Sequence, residues 1–417
     1  MPSKRNDPPS LFPLEAGIFF LVFAGCILFG AVYSWVFMSL SAIIFLLLFL
    51  YPDSLLKVFC LPKSFLVGIA FVFSFLLFQL FKSSLNTHGT GQELLKWLAY
   101  AAGFLLIQLL PLQTINRLLY SILYLGVLES LYGLVQVHSK WEMVLWHSKS
   151  AYQGFVTGTY FNRNHFAGLL ELCLGVHLGL WLEAFYKRKS RHLVFLSILL
   201  IFSLLGILQS SSRVGIISFL SALLLLTFLF VLKKEKVGFP PVCILTFFFI
   251  FALLVSWDVV MPRFLELKKD WLTGKGRFLA WQNTFVMLRE HWKAGIGLGA
   301  FEWVFPFYQS EKLLKGWSHL HNDYLELAVS LGIPCFVIFI LSFSVLIGRS
   351  FKMFLVAESP LFIRMWGLWV GVAAFLFHSF TDFNLAIPAN GMLFIFVLAM
   401  IYRLLSLGEG VGGEGKQ

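Results

Sequence analysis

LEAGIFFLVFAGCILFGAV, residues 14–32, is followed almost at once by SWVFMSLSAIIFLLLFLY, residues 34–51. Each stretch is close to the ~20 apolar residues an α-helix needs to cross a bilayer. The first follows a polar, basic start, MPSKRNDPPS, has no small-residue cleavage site, and runs straight into the second. The pair therefore reads as two membrane helices, not as a removed signal peptide. The same pattern continues along the chain and predicts spans at about 64–82, 93–112, 116–137, 164–185, 191–208, 213–232, 240–260, 323–348, 361–380 and 386–406.

Composition supports this fold class, an all-α polytopic membrane protein of about twelve helices. Of 417 residues, 59% are hydrophobic and 13% charged, with 48 phenylalanines. Ordinary soluble domains carry about 25% charged residues, and a soluble core has no use for so much apolar surface. The five cysteines, Cys26, Cys60, Cys173, Cys243 and Cys335, show no metal-ligand spacing and read as small hydrophobes.

The formal net charge of +11 would suggest nucleic acid in a soluble protein. Here its distribution sets orientation instead. With both termini cytoplasmic, seventeen Lys and Arg fall in cytoplasmic segments, including KRKSR and KKEK, against six in the short outer ones. The organisation that follows is a cytoplasmic segment (1–13), helices one to nine (14–260), a large partly helical extracytoplasmic loop (261–322), helices ten to twelve (323–406) and a cytoplasmic tail (407–417). Within the loop, Arg277, Trp281, Phe285, Leu288 and Trp292 recur at helical spacing, which predicts a helix lying along the membrane surface with its aromatic face down.

Charged and polar residues at helix ends facing a shared cavity are the informative ones in such a chain. Four clusters qualify, all on the outer side. GTYFNRNHFAG (158–168) places Arg163 and His165 where the sixth span begins, Arg163 serving either as an interfacial anchor or as an anion ligand at a helix N-terminus. QSSSRVG (209–215) carries Arg213, the sole charge in a long apolar stretch, which either snorkels to headgroups or meets an anionic partner. GKGR (274–277) places Lys275 and Arg277 at the start of the loop helix, where dipole and guanidinium act on one anion. Downstream, GIGLGAF (295–301) lacks the strand–turn–helix context of a nucleotide loop and reads as a turn returning the loop to the membrane.

The fourth cluster, SHLHNDYLELAVSLGIP (318–334), offers His319, His321, Asn322, Asp323 and Glu326. A neutral imidazole at the membrane boundary suits general-base work near neutral pH, with Asp323 or Glu326 to orient it. Scarce carboxylates and the two-residue histidine spacing argue against a metal. A lesser cluster, HSFTDFNLAIP (378–388), adds His378 and Asp382, while Glu129 and Glu171 lie inside spans five and six without an assignable partner.

In this order, over about Gly158 to Pro388, the clusters resemble the bacterial O-antigen ligase and polymerase family. His321, Asn322 and Gly332 match the ligase pattern of His-Asn, nine residues, then Gly; Cys335 departs from it, where the family usually has Gly, Thr or Tyr. The resemblance implies a C-type glycosyltransferase fold in the bacterial inner membrane, with its active site facing the periplasm. It implies an undecaprenyl-pyrophosphate glycan donor, no metal and no cofactor. The acceptor is the lipid A core, another glycan, as in exopolysaccharide polymerisation, or a protein. In that reading His321 is the base and Arg213, Arg277 and Arg163 bind the pyrophosphate. A flippase for lipid-linked glycans is the alternative, although its polar features would sit nearer the midplane.

Overall fold

The computed structural model describes residues 11–232, 240–265, 276–313 and 316–413. A helix lies at each position where the apolar pattern calls for one. In chain order these are α1 (Phe12–Ile27), α2 (Ser34–Leu50), α3 (Lys63–Phe78), α4 (Thr87–Ile107), α5 (Leu112–His138), α6 (Arg163–Tyr186), α7 (Ser190–Gln209), α8 (Arg213–Leu232), α9 (Pro240–Val255), α10 (Trp257–Leu265), α11 (Arg277–His291), α12 (Asp323–Leu331), α13 (Ile333–Val356), α14 (Leu361–His378) and α15 (Pro388–Gly413). Among the described residues, seven helices are long and apolar enough to span alone, and nine if each of two sharply bent pairs counts as one span. The single sheet among them is a two-stranded hairpin that pairs Met143 with Ser148 and Val144 with His147. The chain is thus an all-α, multi-pass membrane protein.

Helix α6 is the axis of the bundle. Every residue in its most apolar window is buried, and a helix hydrophobic on all sides belongs inside. It packs antiparallel to α14. Near one end Glu171 Oε1 lies 2.9 Å from His378 Nδ1. Near the other, Arg364 grips both oxygens of Glu183 at 2.6 and 2.8 Å. Glycines let the two backbones touch between these pairs: a Cβ on Gly175 would lie 2.5 Å from the Cα of Gly371. The carboxylate left unassigned in span five also finds its partner here, since Glu129 accepts bonds from the Thr159 amide and hydroxyl at 2.9 and 2.8 Å.

Two features differ from the sequence expectation. The tenth span is not one helix over 323–348. Gly332, at φ +74°, separates the short α12 from α13. The break is held from outside, since the Ile333 amide donates to Trp292 O at 2.7 Å and the Gly297 amide to Ser330 O at 3.1 Å. The second difference is the ninth span, which bends by 82° between α9 and α10. On α11 the buried residues are Ala280, Thr284 and Met287, of which Ala280 and Met287 join a small separate core with Ile296, Phe301 and Phe305, while Phe285 and Trp292 point outward. The loop therefore has a hydrophobic core of its own.

The GIGLGAF turn ties this loop to the bundle. Gly295 takes a positive φ, and a Cβ there would stand 2.2 Å from Ser330 O. The Thr90 hydroxyl donates to Leu298 O at 2.7 Å, and the Gln79 amide donates to Ser330 O at 2.8 Å. The glycines serve close backbone packing between the loop, α12 and the start of α4.

Candidate active site

The site is organised by Asp382, in the turn between α14 and α15. The Thr381 and Asp382 amides both donate to His378 O, which fixes the turn at the end of α14. The Asp382 side chain is fully buried, and a buried carboxylate must be satisfied on every side. Oδ2 accepts from Asn164 Nδ2 at 2.7 Å and Arg277 Nη2 at 3.3 Å. Oδ1 accepts from His321 Nδ1 at 3.1 Å and the Phe383 amide at 3.0 Å. His165 Nε2 stands 3.7 Å from the same oxygen. Burial alone would raise the carboxyl's pKa, but His165, His321 and the Arg277 charge outweigh it and hold the group well below the usual carboxylate range. Asp382 is therefore an anion that gathers α6, α11 and the segment before α12 around one point.

His321 precedes the helix that Asn322 caps, the Asn322 side chain accepting from the Leu325 amide at 3.0 Å. Its φ is +54°, a left-handed conformation that costs an L-residue on the order of 1 kcal/mol. This backbone turns the imidazole back toward Asp382. Because an ionised carboxylate only accepts, Nδ1 carries the proton and Nε2 is left as the acceptor nitrogen. The side chain is 22% exposed, framed edge-on by Trp317 and Phe383 at 5.7 and 4.7 Å between ring centroids.

The carboxylate that orients His321 is Asp382, not the neighbouring Asp323 or Glu326. Helix geometry explains the exchange. Glu326, one turn into α12, reaches back over the cap to His319 Nδ1 at 2.8 Å and the Leu320 amide at 2.7 Å. Asp323 accepts from the Leu385 amide at 3.0 Å, while its own amide donates to Ser379 O at 2.9 Å. Burial of His319 works against its protonation, but the Glu326 charge prevails and raises its pKa. His378 sits close to Asp382 in sequence but turns into the bundle, toward Glu171.

The arginines arrive on different elements. Arg277, at the N-terminus of α11, donates through Nη1 to Thr381 O and through Nη2 to Asp382, and its side chain stays 35% exposed. With five N–H donors, it keeps others for a ligand. Arg163 opens α6 and lays its guanidinium over Phe155, 4.4 Å from the ring centre. Arg213 opens α8 and donates through Nη1 to Arg263 O at 3.1 Å. The starts of α6 and α8 meet the end of α14, since a Cβ on Gly215 would approach Ala167 at 2.7 Å and His378 at 3.4 Å. Lys275 lies outside the described residues.

Sequence reasoning missed two contributors. In sequence either Asn162 or Asn164 reads as the helix cap; Asn162 supplies it by accepting from the Asn164 amide, and Asn164 itself binds Asp382. Phe383 has no chemical signature, yet it is the ring shared by His165, His319 and His321 at 4.4, 4.5 and 4.7 Å. The doubled Asn in NRNH was the available signal for the first; none existed for the second.

A search of curated proteins finds no match to the chain. The family model described as O-antigen ligase, Wzy_C, matches residues 198–340. That span holds Arg213, Arg277 and His321, and leaves out Arg163 as well as His165 and Asp382, which the fold brings to His321 and Arg277. From within α7 to within α13 the chain is therefore similar to the O-antigen ligase family, the one its ordered motifs resemble.

Proposed function

We infer that this chain transfers a glycan from an undecaprenyl-pyrophosphate donor to an acceptor hydroxyl at the periplasmic face of the inner membrane. The observation that carries the reading is the Asp382–His321 pair with Arg277 on the same carboxylate. The family match supports ligase or polymerase chemistry in general terms; donor and residue roles are our assignment.

The acceptor oxygen attacks the anomeric carbon while its proton passes to His321 Nε2. Asp382 steadies the imidazolium that forms. The bond from the anomeric carbon to the pyrophosphate oxygen breaks, and the electron pair leaves with undecaprenyl pyrophosphate. Developing negative charge is met by the free donors of Arg277, with Arg213 and Arg163 completing the positive rim. A single displacement inverts the anomeric centre. The scheme uses neither metal nor nucleotide, as the resemblance implies. Lipid A core, a second glycan and a protein side chain remain the acceptor classes.

The test is reconstitution of wild type and His321→Ala with polyprenyl-pyrophosphate glycan, candidate acceptors and EDTA, followed by gel shift and mass spectrometry. Transfer by wild type that is lost in the variant supports the reading, and the acceptor that gains mass separates ligase from polymerase. Full transfer by His321→Ala removes the base assignment. Absence of transfer with lipid flipping by the folded wild type would replace the enzyme by a transporter.

A further inference from the structure

A cleft of about 440 Å³, including its mouth, opens beside the site. Asp323, Glu326, Leu327 and Ser330, one face of α12 by their spacing, form one wall. Glu93, Lys96 and Trp97 of α4 form the opposite wall, and Leu298, Gly299, Leu385 and Ala386 close the ends. The arginines of the site come from α6, α8 and α11, and none of them is among its lining residues.

The charges in the cleft are arranged in pairs. Lys96 Nζ lies 2.5 Å from Glu93 Oε1, with Lys96 almost wholly buried. His319 Nδ1 lies 2.8 Å from Glu326 Oε1. Asp323 adds a third carboxyl group, so the cleft offers no net positive charge. A pyrophosphate would find no unpaired cation there, whereas neutral hydroxyls would find several acceptors, one ammonium donor and the Trp97 ring. These are the requirements of an uncharged, hydroxyl-rich sugar ring.

The cleft is also one side chain away from the base. His319, in its wall, stacks on Phe383, and His321 meets the same ring edge-on. A glycan with one residue in the cleft would hold its neighbouring residue beside His321. The donor's first sugar is tethered to a pyrophosphate that needs the arginines, so the second sugar of the reaction is the better occupant. We propose that this cleft is the acceptor-sugar subsite, with Glu93, Lys96 and Trp97 as its recognition residues, an assignment that rests on the transfer reading above.

Two variants test it: Glu93→Gln, which removes one carboxylate, and Leu327→Phe, which fills space and leaves both ion pairs intact. The probes are the host's polyprenyl-linked glycan as donor, and its delipidated core and repeat-unit oligosaccharides as acceptors. The expected result is an acceptor KM raised about tenfold in folded Glu93→Gln, the size of one lost charge-assisted hydrogen bond, and raised also in folded Leu327→Phe by loss of space, with the donor KM unchanged in both. A raised donor KM with unchanged acceptor KM would place the donor's sugar in the cleft and overturn the proposal; so would unchanged values for both. Equilibrium binding of the same oligosaccharides without donor is measured in parallel. If wild type fails to turn over, the transfer reading fails alone: binding that weakens in both variants still supports a sugar cleft, and equal binding overturns it.

Discussion

His321 Nδ1 and Asp382 Oδ1 lie 3.1 Å apart although 61 residues separate them in the chain. The bond fixes which imidazole nitrogen is free. Asp382→Asn keeps the shape but can present an amide donor to Nδ1, which moves the proton to Nε2 and removes the base. A fall in kcat of about 100-fold or more is expected, with donor binding weakened less. Full kcat in a folded Asp382→Asn protein would break the link between this bond and the chemistry.

Arg277 spends two donors on the Thr381 carbonyl and Asp382 and has others to offer. Arg277→Ala should abolish transfer while leaving membrane insertion intact. Arg277→Lys keeps the charge without the planar fork and should recover only part of the rate. Single-turnover kinetics of both variants with saturating donor will check the order; lysine equal to arginine would make bidentate geometry irrelevant.

The depressed pKa of Asp382 has a defined pH consequence. A carboxyl whose folded pKa lies below its unfolded value, about 3.9, stabilises the fold at all higher pH. That contribution declines as pH falls below the unfolded value and is lost through the folded one. Thermal unfolding should therefore show Asp382→Asn less stable than wild type by a steady margin from pH 8 to 5, shrinking only below about pH 4. A margin that appears only at alkaline pH would contradict the sign.

Gly175 and Gly371 set the contact between α6 and α14. A leucine at Gly175 would drive its Cβ into backbone, which cannot rotate away as a side chain can. Overpacking typically costs about 1–3 kcal/mol, and the helices that carry Arg163, His165 and Asp382 would separate. Gly175→Leu should lower both the unfolding temperature in detergent and kcat; tolerance of leucine at full activity would show that the helices need not touch.

Arg364 offers the matching control. It holds Glu183 and Asn116 at the end of α14 remote from Asp382. Arg364→Ala leaves the buried Glu183 carboxylate with Lys187 as its remaining cation, which is destabilising. The expected outcome is a lower unfolding temperature with unchanged KM for donor and acceptor. A selective change in KM would mean that the two ends of the bundle are coupled.

Residues 14–51 and the repeats of their pattern were enough to determine a bundle of membrane helices, because apolar length is a local property that lipid reads directly. The arginines at the starts of α6, α8 and α11, and His321 beside its cap, were legible for the same reason: a charge at an apolar helix end is uncommon and visible one segment at a time. Pairing was not legible. Asp323 and Glu326 were the nearer carboxylates to His321, but the left-handed turn at His321 and the cap at Asn322 face the imidazole away from α12 and toward Asp382. The break at Gly332 was hidden as well, since a glycine in an apolar run ends a helix only when something outside takes up the freed backbone groups: here Trp292 O accepts from the Ile333 amide, and the Gly297 amide donates to the Ser330 carbonyl. Hydropathy and charge along the chain act over a few residues and so determined the elements; which carboxylate meets which histidine depends on contacts between distant segments, and for His321 only the docking of the start of α12 on the end of α14 decided it.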